Sequence, residues 1–169
     1  MTGTKTDLTI RPAVEGDLAA IMGIYNWAVN QTFGTLDAEA LDREEAEEWW
    51  RSHGSKSLLL VAEADEGVIG WGRLLSWSRR GLTSTVEDLV YVDPLLQGKG
   101  VGRAILERLI TEADALHYRL MVAQVPQGNK GGRSLHEGLG FREVGVLHQA
   151  SYKFNQWIDV TLMERLLEK

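Results

Sequence analysis

The segment from Tyr91 to Arg103 constrains the fold of this chain more than any other. It reads YVDPLLQGKGVGR, so a β-branched strand runs through Pro94 into a glycine-rich loop that opens a helix. Glycines at such a turn let the backbone approach a ligand closely, and the free N–H groups of a helix start favour an anion. The segment therefore predicts a strand–loop–helix unit that binds a diphosphate. An ordinary glycine-rich turn is the alternative interpretation.

The spacing of the glycines excludes two common nucleotide-binding loops. The phosphate loop of nucleotide hydrolases reads G-x-x-x-x-G-K-[ST], whereas Lys99 is followed here by Gly100. A dinucleotide-binding fold needs an acidic residue roughly 20 positions after its loop. The corresponding stretch, residues 120–125, contains no Asp or Glu.

Length and charge narrow the classes of function. The chain has 169 residues and a net charge of −6, which suits one domain with a closed core and argues against a nucleic-acid partner. We expect a flexible N-terminus at residues 1–6, followed by a single domain at residues 7–169. No cysteine is present and the four histidines are not closely paired, so we expect no metal site.

Membrane association is also not expected. The longest aliphatic run, Leu58 to Ala62, is far too short to span a bilayer, and the N-terminus lacks an apolar leader segment. We therefore expect a cytoplasmic protein with no membrane partner.

Hydrophobic periodicity predicts a mixed order of strands and helices. Predicted strands lie at residues 7–12, 57–63, 68–77, 83–92, 120–125, 141–146 and 157–162. Predicted helices lie at residues 18–29, 42–50, 101–113 and 133–139. A strand, a glycine loop, a helix and another buried strand form a right-handed crossover within otherwise antiparallel strands. The fold class is therefore α/β, with a mixed, mostly antiparallel sheet.

Four separate segments resemble one enzyme family. Gln97-x-x-Gly100-x-Gly102 resembles the loop by which the GNAT superfamily of N-acetyltransferases holds the diphosphate of acetyl-CoA. Three further segments are similar to the phosphinothricin and methionine sulfoximine acetyltransferase branch of that superfamily. They are IRPA at 10–13 with IYN at 24–26, TVEDLVYV at 85–92, and LHEGLGF at 135–141 with KF-x-x-W-x-D at 153–159.

The resemblance implies a fold and a cosubstrate. In this family the fourth and fifth strands splay apart, helices cover both faces of the sheet, and the pantetheine arm of acetyl-CoA enters the gap. It also implies a bulge near Val90 that turns backbone N–H groups towards the thioester. The residues implied to bind the cofactor are Val90, Tyr91, Val92, Gly98, Lys99, Gly100, Val101, Gly102, Arg103 and Asn129.

One segment departs from the family pattern. Small residues and a serine usually follow the family's asparagine, whereas Lys130-Gly131-Gly132-Arg133 follows Asn129 here. Two glycines each lower helix propensity by about 1 kcal/mol, so we expect the helix to start late or to be mobile, with Asn129 displaced. Lys130 and Arg133 are then alternative contacts for the cofactor's phosphates.

Two residues are candidates for proton transfer. The resemblance makes Glu87 the general base that deprotonates an acceptor amine, because a desolvated glutamate can titrate towards neutral pH. The alternative is a solvated carboxylate, or an ion-pair partner for Arg79 or Arg80. His136 occupies the place where many relatives have a tyrosine that protonates the leaving thiolate, and it is the candidate general acid. A core histidine on a helix face is the alternative.

The resemblance implies transfer of the acetyl group of acetyl-CoA to the α-amine of a small amino acid or analogue. Candidate acceptor contacts are Arg80, Gly81, Leu82 and Glu87. Alternatives are an enzyme that acetylates a protein N-terminus or an antibiotic amine, and an acyl-CoA sensor without turnover. The resemblance also implies a homodimer.

Overall fold

A computed structural model describes residues 8–53, 57–77 and 84–167 of the chain. The strands are β1 (Thr9–Pro12), β2 (Leu59–Ala64), β3 (Gly67–Ser76), β4 (Thr85–Val92), β5 (Leu120–Pro126), β6 (Arg142–Lys153) and β7 (Gln156–Leu166). The helices are α1 (Leu18–Gln31), α2 (Arg43–His53), α3 (Val101–Ala115) and α4 (Lys130–Glu137). This order matches the predicted one, and residues 1–6 lie outside the described residues.

The strands form one seven-stranded sheet in the order β1-β2-β3-β4-β5-β7-β6. All neighbouring strands are antiparallel except β4 and β5, which are parallel. The mixed, mostly antiparallel sheet is therefore confirmed.

Strands β4 and β5 separate after a short paired stretch. They pair only from Thr85 with Leu120 to Glu87 with Val122. Beyond that point β4 continues to Val92 against β3, while β5 continues to Pro126 against β7. A gap therefore opens in the sheet directly after Glu87, and the expected separation of the fourth and fifth strands is confirmed.

The residues of strand β3 show how helices pack against both faces of the sheet. A Cβ atom on Gly72 would lie 2.5 Å from Cγ2 of Ile105 in α3, so glycine allows this helix to pack closely on the sheet. Because side chains alternate along a strand, Trp71 and Arg73 point to the opposite face. Trp71 belongs there to a core that includes Ile21 of α1.

The last two strands are longer than predicted, and the strand predicted at 157–162 is β7 (Gln156–Leu166). The predicted strand 141–146 extends to Lys153, because a tight turn at Phe154 and Asn155, with φ of 50° and 60°, returns the chain directly into β7. Left-handed conformations at both central residues of the turn fit the twist of a hairpin. This turn was not predicted from the sequence.

The expected late start of the fourth helix is also wrong, because α4 begins at Lys130. Asn129 caps it, with Oδ1 accepting a hydrogen bond from the Gly132 N–H at 2.9 Å. Such a cap stabilises a helix by about 1 kcal/mol and offsets part of the low propensity of the glycines. A Cβ on Gly132 would lie 2.5 Å from Nδ2 of Asn129, so glycine at this position makes room for the cap.

Within the described ranges, no helix is long and apolar enough to cross a membrane. The same residues contain no group of three or more His, Cys, Asp or Glu side chains that could hold a metal ion.

Candidate active site

Two adjoining cavities lie at the gap between β4 and β5. The first, which we call the loop cavity, has a volume of about 500 Å³ and lies beside the glycine loop. The second, the aromatic cavity, has a volume of about 700 Å³ and contains the Glu87 side chain. Tyr91 and Gly34 line both cavities, so the cavities meet beside β4.

The loop cavity brings together most of the residues predicted to bind a cofactor. Those that line it are Val90, Tyr91, Val92, Gly98, Gly100, Gly102, Arg103 and Asn129. Lys99 and Val101 do not line it. The Val101 side chain is buried in the core beneath α3 instead, so any contact from this residue must come from its backbone.

The glycine loop has the geometry of an anion site. Gly98 and Gly100 have φ of 74° and 88°, which residues with a Cβ rarely adopt. Gly100 is the N-cap of α3, so the first N–H groups of that helix and its positive dipole end are at the loop. Gln97 secures the loop by donating a hydrogen bond from Nε2 to the Val92 carbonyl at 3.2 Å.

Glu87 is half-buried in the aromatic cavity, at the last residue of β4 that pairs with β5. Burial raises the pKa of its carboxyl, and the negative charge of Asp88 raises it further. A hydrogen bond from Nε2 of Gln124 to Oε1, 2.8 Å long, opposes this shift. Glu87 is therefore a carboxyl group whose pKa is moved towards neutral pH inside a cavity.

Backbone N–H groups of β4 face the gap. The Thr85 carbonyl accepts a hydrogen bond from the Trp77 N–H, on the β3 side of the strand. The Ser84 carbonyl accepts one from the Leu120 N–H, on the β5 side. Because backbone groups alternate sides along a strand, the N–H of Val90 points to the β5 side, where β5 has already diverged. The pairing of β3 with β4 has a regular register from Gly70 with Val92 to Ser76 with Val86. The bulge expected near Val90 is therefore absent from this pairing, and strand separation alone frees that edge.

Comparisons with known proteins agree on one family. The model of the Acetyltransferase (GNAT) family matches residues 21–141. An L-methionine sulfoximine/L-methionine sulfone acetyltransferase of Salmonella typhimurium is 35% identical over 164 residues, which is 96% of each chain. A phosphinothricin N-acetyltransferase of Alcaligenes faecalis is 35% identical over 166 residues, covering 94% of this chain and 82% of the relative.

The chain belongs to the GNAT family of acetyltransferases. A GNAT phosphinothricin acetyltransferase of Sinorhizobium meliloti, solved in complex with acetyl-CoA, has a TM-score of 0.86 and 31% identity, over 95% of this chain and 88% of the neighbour. This GNAT protein is therefore an acetyl-CoA-dependent N-acetyltransferase, and the fold and the cosubstrate predicted from sequence are confirmed.

His136 of this GNAT enzyme is buried on the other face of β4 from Glu87. Its Nε2 lies 2.8 Å from Oδ2 of Asp88 and its Nδ1 lies 2.7 Å from the Gly132 carbonyl. Burial lowers its pKa, but Asp88 and the Gly132 carbonyl raise it, and the net shift is upward. Both ring nitrogens face acceptors, which favours the imidazolium.

His136 also lines neither of the two cavities. This placement supports the alternative interpretation of His136, a core histidine on a helix face, over the general acid.

The candidate acceptor contacts Arg80, Gly81 and Leu82 lie outside the described residues. Of the alternative phosphate contacts, Arg133 is engaged in ion pairs with Glu137 and Glu143, each 2.8 Å long, and does not line the loop cavity.

Among the residues of the aromatic cavity that sequence reasoning missed are Gln124 and Arg73. Gln124 interrupts an apolar strand and Arg73 interrupts another, and both line the cavity with Glu87. A lone polar residue inside a buried apolar strand was the signal available for both, because such a residue needs a partner. The sequence did not reveal that both side chains lie on the Glu87 face.

Proposed function

We propose that this enzyme acetylates the α-amine of a small amino acid or analogue, of the phosphinothricin, methionine sulfoximine or methionine sulfone type. The observation that carries the proposal is the half-buried Glu87, which lies at the sheet gap and lines the aromatic cavity, and this cavity meets the loop cavity beside the glycine loop. The names of the Salmonella and Alcaligenes relatives support the class of acceptor.

In this proposal, acetyl-CoA lies in the loop cavity. The N–H groups at residues 98–103 hold its diphosphate, Val90 to Val92 lie along its pantetheine arm, and Asn129 contacts the same arm. The Val90 N–H, which faces the gap, stabilises the oxyanion that forms when the thioester carbonyl is attacked. The acetyl group then reaches the aromatic cavity beside Tyr91.

Glu87 acts as the general base. The acceptor enters as an ammonium ion, since free amines have a pKa near 10, and Glu87 removes one proton directly or through a water. The neutral nitrogen attacks the thioester carbon, the C–S bond breaks, and the second nitrogen proton neutralises the departing thiolate. Acetylated amine and coenzyme A leave, and Glu87 returns its proton to solvent.

The test is thiol release by the purified protein with acetyl-CoA and a panel of amines, with the acetylated product identified by mass spectrometry. We expect release with phosphinothricin, methionine sulfoximine or methionine sulfone. Activity only with an N-terminal peptide or an antibiotic amine would replace the proposed acceptor. Acetyl-CoA affinity without any acetylated product would indicate a sensor and contradict the proposal.

We also propose that the enzyme is a homodimer. Strand β6 forms one edge of the sheet, and apolar side chains near it are exposed. Val144, Tyr152 and Trp157 are 58%, 51% and 59% exposed, and the Tyr152 and Trp157 rings meet edge to face with centroids 5.1 Å apart. A patch of this kind is typical of an interface. Light scattering should give twice the chain mass, and a monomer would refute the dimer.

A further inference from the structure

Arg73 is a buried cation on the same face of the sheet as Glu87. It lies on β3 opposite Leu89, and the next pair along this face is Leu75 with Glu87. Arg73 and Glu87 are therefore diagonal neighbours, with Cβ atoms about 7 Å apart. Arg73 is only 3% exposed, and it lines the aromatic cavity.

The Arg73 guanidinium has an unused hydrogen-bonding edge. Among the described residues, its Nε and Nη2 are buried and have no hydrogen-bond partner. Trp49 contacts it through its ring face, with the guanidinium carbon 5.3 Å from the ring centroid. Burial lowers the pKa of Arg73 to about 10, so the group remains charged at neutral pH.

The acidic side chains of the cavity are not paired with Arg73. Asp37, Glu39 and Glu87 also line the cavity; Asp37 accepts a hydrogen bond from Tyr25, and Glu87 accepts one from Gln124. In the described part of the chain, no ion pair joins Arg73 to a carboxylate.

An uncompensated buried charge is costly, and buried charges in proteins are normally paired, so a bound anion would supply the partner that Arg73 lacks. Nε and Nη2 lie on one edge of the guanidinium, and this edge binds the two oxygens of a carboxylate or a phosphinate side by side. An amine that faces Glu87 and an anion on Arg73 can belong to one small molecule.

We propose that Arg73 binds an anionic group of the acceptor and thereby selects amines that carry one. The inference rests on the proposed function, since it names what the acceptor must contain. The anion is either the α-carboxylate or a side-chain acid such as a phosphinate.

The test compares four acceptors in wild type, Arg73→Met and Arg73→Lys: methionine sulfone, phosphinothricin and the α-carboxamide of each. If Arg73 holds the α-carboxylate, Arg73→Met lowers kcat/KM for methionine sulfone roughly 10- to 100-fold. It then leaves the carboxamides unchanged, and Arg73→Lys is intermediate. If Arg73 holds the phosphinate, both phosphinothricin acceptors lose activity and methionine sulfone does not.

The KM for acetyl-CoA should not change in these variants. Arg108→Met, which removes an arginine that pairs with Glu112 at 2.7 Å in α3, is the matched control. Equal losses for all four acceptors, or no loss for any, would overturn the assignment of Arg73.

Binding without turnover separates this inference from the proposed function. Calorimetry with 4-(methylsulfonyl)butanoate, the deaminated analogue of methionine sulfone, and with the deaminated analogue of phosphinothricin should detect binding of at least one to wild type and not to Arg73→Met. If no amine is acetylated but this Arg73-dependent binding remains, the proposed function fails and the anion site stands. If amines are acetylated and neither anion distinguishes wild type from Arg73→Met, the proposed function stands and the anion site fails.

Discussion

Gln124 donates a hydrogen bond to Glu87 across the point where β4 and β5 separate, with 2.8 Å between Nε2 and Oε1. The contact joins Glu87, the last residue of β4 that pairs with β5, to Gln124, which lies two positions beyond the last paired residue of β5. It holds the carboxylate in place and favours its charged form, while burial favours the neutral form. The balance between the two sets the pH at which Glu87 can accept a proton.

Replacing Glu87 by glutamine should remove the base and leave the shape of the cavity intact. We expect kcat to fall about 10²- to 10⁴-fold with little change in acetyl-CoA affinity, measured by thiol release and calorimetry. Glu66→Gln, at the exposed turn between β2 and β3, is the control. Wild-type kcat in the Glu87 variant would remove this residue from the mechanism.

Replacing Gln124 by methionine should shift the acidic limb of the pH profile of kcat/KM. The lost hydrogen bond favoured the carboxylate, so the pKa of Glu87 rises further and the limb moves to higher pH. The measurement is kcat/KM for the best acceptor from pH 5 to 9. If the variant remains active and the acidic limb of its pH profile does not move, a group other than Glu87 is responsible for that limb.

Replacing Gly100 by valine should weaken acetyl-CoA binding. The φ of 88° at Gly100 strains any residue that carries a Cβ, and a β-branched one most. Displacement of the loop would move the N–H groups at the start of α3. We expect the Kd for acetyl-CoA to rise at least tenfold, a change equivalent to about 1.4 kcal/mol.

Gly23→Ala is the control for the loop, because Gly23 is exposed on α1 and an added Cβ meets nothing within 4 Å. It should leave the Kd unchanged. An unaltered Kd in the Gly100 variant would contradict the assignment of the loop to the diphosphate.

Replacing His136 by glutamine should destabilise the fold most at low pH. The folded-state pKa of His136 is raised above its ordinary value of 6.5. The stabilisation is therefore fully present below that value and is lost as pH rises through the folded-state pKa. We expect a loss of about 3 kcal/mol in the free energy of unfolding at pH 5, which shrinks at higher pH.

Urea unfolding from pH 5 to 9 measures this effect, and His148→Gln is the matched control. The His148 pair with Asp159 is exposed, so its removal should change stability little. If the His136 variant keeps its stability but loses most of its kcat, His136 is again the candidate general acid.

The sequence determined the features that depend on neighbouring residues. Positive φ at Gly98 and Gly100 suits glycine, and apolar periodicity set the helix that follows the loop, so this unit was predictable without a structure. The order of strands and helices followed for the same reason. The start of α4 was not predictable in this way, because it depends on the cap between Asn129 and Gly132. The helix propensities of single residues do not account for such a contact.

The candidate site was decided by the tertiary structure. His136 and Asp88 are 48 residues apart, and only the packing of α4 on β4 joins them. Gln124 reaches Glu87 because β5 pairs with β4 for a few residues and then diverges, and Arg73 shares their face because of the register of β3. A sequence fixes which side chains are available, but strand register and helix packing select the ones that meet, since a shift of one residue would turn each to the opposite face.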